Sequence, residues 1–178
     1  MTSSSILLPR IMEVGHEAYK KLPQILQILQ VKRPLIITDK IMVQLGYVAT
    51  IQALLQEAGI TSDVFADTVP EPTDSSIAPG IELVQCGDYD SLIALGGGSP
   101  IDSAKAIGML GKFGGSIRDY KFPRQVNEAG LPIIAMPTTA GTGAEATKFT
   151  IITDEANNEK LLCVGTGFMP IAAIIDYS

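Results

Sequence analysis

Leu92-Ile93-Ala94-Leu95-Gly96-Gly97-Gly98-Ser99-Pro100-Ile101-Asp102-Ser103-Ala104-Lys105 reads as a buried strand, a glycine turn and the first turns of a helix. Leu92 to Leu95 is a short apolar run of the kind a parallel strand shows when both faces are covered. Three consecutive glycines leave backbone without Cβ atoms, so a ligand can approach closely. Ser99 suits an N-cap, Pro100 the first helical position, and Asp102 the acidic place of a capping box. The turn thus predicts free N–H groups at the positive end of a helix, a setting that favours anions and above all phosphate. The same turn also occurs in α/β folds without a ligand. It is not a Walker loop, because Gly108-Met109-Leu110-Gly111-Lys112 has the wrong spacing. It is not G-x-G-x-x-G, because Ile101 stands in the third glycine's place. Gly141-Thr142-Gly143-Ala144-Glu145-Ala146 fits G-x-G-x-x-A, a weak match without βαβ context.

On either side, apolar runs alternate with helical patterns. Leu35 to Thr38 reads as a strand ending at Asp39. Ile41 to Leu45 and Thr50 to Ala58 read as helices, and Ser62 to Ala66 as a strand. After the loop Val69-Pro70-Glu71-Pro72-Thr73 a helix starts at Asp74 or at Pro79. Pro132 to Met136 is a strand running into the turn Pro137 to Thr142. Thr147 to Thr153 and Lys160 to Val164 form a hairpin, and Ala172 to Ile175 is one more strand. Near the N-terminus, Ile6 to Leu8 and Ile11 to Val14 suggest a small hairpin, followed by a helix over His16 to Gln30. The pattern predicts an α/β fold: a Rossmann-like parallel sheet with helices on both faces plus a small β-hairpin, residues 1–178 being one domain.

The 178 residues carry 13 Lys and Arg against 19 Asp and Glu, a net charge of −6. That balance argues against nucleic acid as partner. No apolar run reaches the length of a membrane span. Met1 to Gly15 has no basic n-region before an apolar core, so no leader is read there. Two distant cysteines, Cys86 and Cys163, predict free thiols and a cytoplasmic setting. One His, His16, excludes a His-rich metal site and leaves little basis for a His-dependent catalytic relay.

Ligands of parallel sheets sit beyond the carboxyl ends of the strands. Three such ends are notable: Asp39, the turn Gly96 to Ser99, and Thr138 to Thr142. Asp39 suits the two hydroxyls of an adenosine ribose and disfavours a 2′-phosphate, which selects NAD over NADP; it equally suits a helix N-cap. Gly97, Gly98 and Ser99 suit a pyrophosphate. Thr138, Thr139 and Thr142 offer hydroxyls and backbone donors to the same ligand, or local turn bonds. Lys105 could face phosphate, but a lysine two turns into a helix more often sits on the solvated face; Asp154, Glu155 and Glu159 read as a solvated turn.

Gly96-Gly97-Gly98-Ser99-x-x-Asp102-x-x-Lys105, then Pro137-Thr138-Thr139-x-Gly141-Thr142-x-x-Glu145, then Ile152-Thr153-Asp154 with Lys160, resembles the iron-containing (group III) alcohol dehydrogenases of the lactaldehyde reductase and 1,3-propanediol dehydrogenase type. The resemblance implies an NAD-dependent oxidoreductase of small alcohols and aldehydes, of which this chain is the N-terminal cofactor-binding part. By matching position it implies that Asp39 binds the adenosine ribose and that Gly97, Gly98 and Ser99 hold the pyrophosphate. Thr138, Thr139 and Thr142 would line the adenine and phosphate side, Ile151 the cofactor, Lys160 the nicotinamide ribose, and Asp102 the nicotinamide end. Many relatives carry Asn where Glu71 stands here, and Glu71 is left out of the cofactor set. The family's Fe²⁺ is held by an Asp and three His of a helical domain, so no metal ligand and no catalytic residue is expected in residues 1–178. Such a chain is expected to be silent alone and, through an uncovered apolar face, to form a homo-oligomer. The alternatives are a non-enzymatic NAD-binding module and a cofactor domain of the glycerol dehydrogenase or dehydroquinate synthase kind.

Overall fold

Six short apolar runs line up side by side. They are β1 (Ile11–Gly15), β2 (Pro34–Ile37), β3 (Asp63–Phe65), β4 (Ser91–Gly96), β5 (Ile133–Pro137) and β8 (Ala172–Asp176). The computed structural model, which describes residues 6–178, joins them in one sheet of order β1-β8-β5-β4-β2-β3, and every neighbouring pair is parallel. Residues 1–5, part of the stretch read for a leader, lie outside the described residues. Two further strands, β6 (Phe149–Asp154) and β7 (Glu159–Val164), form the separate antiparallel hairpin.

The period of two along each strand decides which layer a residue joins. Leu35, Ile37, Leu92, Ala94, Ile133 and Ala135 belong to one core. Helices α4 (Asp74–Cys86) and α5 (Gly98–Phe113) and the hairpin also contribute to it. Ile36, Ile93, Leu95, Ile134 and Met136 belong to the other, with helices α1 (Leu22–Leu29) and α3 (Tyr47–Glu57). Helix α2 (Lys40–Gln44) buries no residue and serves as a spacer beyond β2.

Two local expectations are corrected, and one left open is decided. Ile11 to Gly15 does not pair with Ile6 to Leu8; it lies parallel to β8, with Ile11 opposite Ala172. The proposed helix over His16 to Gln30 opens with a 3-10 turn at Ala18–Lys21, and Pro23 stands in the first turn of α1, where a missing N–H costs nothing. Helix α4 starts at Asp74, capped by a reciprocal Thr73–Ser76 box, and carries Pro79 inside it. His16 is exposed in the turn after β1.

Candidate functional site

The sheet ends together along its carboxyl edge. Thr38 Oγ1 donates to the Leu95 carbonyl at 2.8 Å, and the Thr138 N–H donates to the Gly96 carbonyl at 3.0 Å. These bonds fix the ends of β2, β4 and β5 relative to one another. At the centre, Gly96 has φ +140°, a conformation that side chains rarely adopt, and it turns the chain straight from β4 into α5.

That early turn corrects the predicted cap. Gly97, extended at φ −76° and ψ −163°, is the N-cap, and no side chain caps the helix. Ser99 is already the second helical residue, so it forms no capping box with Asp102. Pro100 falls third, still inside the turn that lacks intrahelical N–H bonds. The uncapped N-terminus of a helix of 16 residues is therefore available to an anion.

A cleft of about 240 Å³ opens there. Its floor is Gly98, Ser99 and Asp102; Thr142 borders one side, and Ile151, Thr153 and Lys160 of the hairpin border the other. Six of the ten proposed site residues (Gly98, Ser99, Asp102, Thr142, Ile151 and Lys160) are thus brought together. Gly97 lies just beside them: a Cβ added to it would meet Thr139 Oγ1 at 3.3 Å. Asp39 is half-buried and accepts the Met42 N–H at 2.9 Å, so its N-cap role is realised. Its other oxygen would lie 3.7 Å from a Cβ placed on Gly96. Thr138 lines a second cavity, of about 300 Å³, with Leu95, Met136, Tyr47, Thr50 and Asp176.

Glu71 stands outside the candidate set, but it lines the cleft, with left-handed backbone at φ 53°. The Thr153 N–H donates to the Pro72 carbonyl at 2.8 Å, which brings the loop against the hairpin. Glu71 Oε1 then lies 3.2 Å from Lys160 Nζ across the mouth.

Two charged groups depart from the expected solvated positions. The Lys105 side chain has no exposure, and Asp154 is 6% exposed. Asp154 accepts from Asn157 Nδ2 at 2.9 Å and pairs with Arg118; the Asn157 bond first and the Arg118 bond next hold it below the usual carboxylate range. Glu159 pairs with Lys121 and Arg118. This network joins the 3-10 turn Ile117–Tyr120 to the hairpin. The G-x-G-x-x-A stretch ends in a 3-10 turn at Ala144–Ala146 rather than in a helix, so it is not a dinucleotide fingerprint. Burial raises Asp102 above its ordinary value, against the opposing pull of Lys105 and the Ile151 N–H.

The cleft tests well for a dinucleotide. A Cβ on Gly98 would meet Thr142 Cγ2 at 2.9 Å, so the floor is bare backbone where a diphosphate needs close approach. It does not test well for iron. Among the described residues no group of three or more His, Cys, Asp or Glu is placed to hold a metal ion.

Comparison with known proteins gives consistent findings. A family model described as iron-containing alcohol dehydrogenase matches residues 9–177. The NAD-dependent methanol dehydrogenase of Bacillus methanolicus is 32% identical over 173 residues, 97% of this chain and 45% of that protein. The lactaldehyde reductase of Escherichia coli is 39% identical over 148 residues, 82% of this chain and 38% of that protein. Among solved structures, a 1,3-propanediol oxidoreductase superposes with a TM-score of 0.93 at 29% identity, over 98% of this chain and 46% of its own. Sulfoacetaldehyde reductase from Bifidobacterium kashiwanohense, solved with NAD+, gives 0.91 at 28% identity, over 99% and 46%. The chain spans less than half the length of each of these relatives.

Proposed function

This chain belongs to the iron-containing alcohol dehydrogenase family, and on that premise we propose that residues 1–178 are a single NAD-binding α/β domain of an enzyme that interconverts small alcohols and aldehydes. The observation that carries the reading is the cleft at the uncapped start of α5, where Gly98, Ser99, Asp102, Thr142, Ile151 and Lys160 converge. Backbone N–H groups of Gly97, Gly98 and Ser99 bind the pyrophosphate, because the helix end is positive and no Cβ intervenes. Asp39 accepts from the adenosine ribose hydroxyls. Thr138 and Thr139 face the adenine side, where the second cavity offers Tyr47 and Leu95 as apolar walls. Thr142 borders the phosphates, Ile151 packs on the cofactor, and Lys160 donates to the nicotinamide ribose after leaving Glu71. Asp102 stands at the nicotinamide end.

Bound NAD would supply the hydride acceptor, and NADH the donor. The residues of this chain bind and orient it; none is assigned a catalytic or metal-binding role. The family's Fe²⁺ finds no fitting set among the described residues, so no step is assigned to it. The reacting alcohol or aldehyde, and assembly into a homo-oligomer, are expectations for the whole enzyme. No helix of the described residues is long and apolar enough to cross a membrane.

Calorimetric titration with NADH tests the reading. The expected result is one site per chain, with NADPH bound more weakly, and no reduction of glycolaldehyde by residues 1–178 alone. Absence of NADH binding would overturn it.

A further inference from the structure

Lys105 sits two turns into α5, and its side chain has no solvent exposure. A lysine is almost never fully buried unless its ammonium is satisfied. Here Nζ donates to the Thr147 carbonyl at 3.1 Å, to Thr147 Oγ1 at 3.0 Å and to the Phe149 carbonyl at 2.8 Å. The acceptors lie on Thr147, in the loop just before β6, and on Phe149, the first residue of β6 in the hairpin wall of the cleft. The fourth neighbour is Asp102 Oδ1 at 3.8 Å, one turn back on the same helix and on the cleft floor. Asp102 in turn is tied to the wall, since its carbonyl accepts from Thr150 Oγ1 at 2.9 Å. The ammonium therefore joins floor to wall, three residues from Asp102 and two from Ile151 through Phe149.

We propose that Lys105 is a positioning residue of the cofactor cleft: it fixes the strand carrying Ile151 against α5 and offsets the charge of Asp102, so that the cleft is formed and unrepelling before a dinucleotide diphosphate arrives. The inference rests on the reading of the cleft as the NAD site. Without the ammonium, Asp102 is an uncompensated anion on the cleft floor, at the nicotinamide end and one helical turn from the pyrophosphate seat at Ser99. A like charge at that range weakens binding of a diphosphate by about fivefold.

Burial pulls Lys105 down to about 8, with Asp102 and Glu145 opposing that fall. Asp102 faces it from its own helix and Glu145 from the neighbouring 3-10 turn; the acceptors on Thr147 and Phe149 are uncharged. Cofactor affinity is thus full below pH 8 and falls above it. Fold stability moves the other way. Between about 8 and 10.5 the unfolded chain keeps a proton that the fold has released, so this group raises the free energy of unfolding as pH climbs. A loss of affinity in that window is not a loss of fold.

The test is NADH affinity of residues 1–178, measured by fluorescence at about pH 7 and about pH 9.5, alongside thermal unfolding. The expected result is a Kd about fivefold higher at the upper pH with no fall in Tm. Lys105→Met is expected to bind about tenfold more weakly at pH 7 and to show no pH dependence. Asp102→Asn, a milder change at a mostly buried position, removes the charge that the ammonium offsets and is expected to flatten the pH dependence of binding; it decides the matter where Lys105→Met does not fold. Binding to the unaltered chain that is flat with pH, or a pH dependence that persists in full in Asp102→Asn, overturns the inference alone. No binding at either pH overturns the NAD reading and this inference with it.

Discussion

Replacing Gly98 by Ala separates the cleft's role in binding from its role in the fold. In α5 the change favours helix by up to about 1 kcal/mol, less in the first turn. Against this, the new Cβ lies 2.9 Å from Thr142 Cγ2 and 3.0 Å from Thr142 Oγ1. Thr142 is exposed and its side chain can swing away, so the squeeze costs about 1 kcal/mol. The two terms nearly cancel, and Tm moves by less than about 4 °C for a chain of this size. Binding does not escape in the same way. The methyl group occupies the space through which the Gly98 and Ser99 N–H groups reach an anion. Loss of one hydrogen bond to a charged oxygen is about 1.5–3 kcal/mol, or about 10- to 150-fold in Kd. Differential scanning fluorimetry and NADH titration read the two quantities on one preparation. Gly15→Ala is the control, because nothing lies within 4 Å of its added Cβ. Unchanged NADH affinity in a folded Gly98→Ala protein would refute the placement of the diphosphate on this turn.

Asp39→Gly is expected to narrow the preference for NADH over NADPH, by about tenfold, in paired titrations; an unaltered ratio removes Asp39 from the ribose site. Glu71→Gln frees Lys160 and lowers the negative charge at the cleft mouth, and is expected to tighten NADH two- to fivefold (roughly, for an exposed pair) with Tm unchanged. A weaker complex would show that Glu71 itself contributes to binding. Cys86 is exposed, whereas burial pushes the Cys163 thiol up to about 12. A thiol reagent at neutral pH should therefore label Cys86 in the native protein and Cys163 only after unfolding, as peptide mass mapping will show.

Local pattern and tertiary pairing contributed unequally to what could be read in advance. The strands of the sheet interior were legible because Leu35 to Ile37, Leu92 to Leu95 and Ile133 to Met136 are apolar on both faces, and two-sided burial leaves that mark. The hairpin was legible from alternation around Asp154 to Asn158. Lys105 was not, because its acceptors lie 42 and 44 residues away at Thr147 and Phe149, and nothing in α5 announces them. Asp154 was misjudged for the same reason: Arg118 and Asn157, not solvent, surround it. The cap at Ser99 failed by two residues, since Gly96 and Gly97 turn the chain sooner than a side-chain cap would. The cleft residues were found from strand ends and family likeness, while Glu71 was set aside on its charge although the loop–hairpin bond carries it to the rim.

The pairing of β1 with β8 sets a timetable for biogenesis. Ile11 meets Ala172 in the finished sheet, so the first strand of the described residues has its partner only 161 residues later in the chain. At ordinary synthesis rates the wait is roughly 10–30 s. During that interval β2 to β5 can assemble around α5, while Ile11 to Gly15 stays without a ladder and is open to chaperones or to a neighbouring nascent chain. Closing so long a loop comes late for entropic reasons. The same edge should be the earliest to reopen, which makes the amides of Ile11 to Gly15 the first of the sheet to exchange with deuterium.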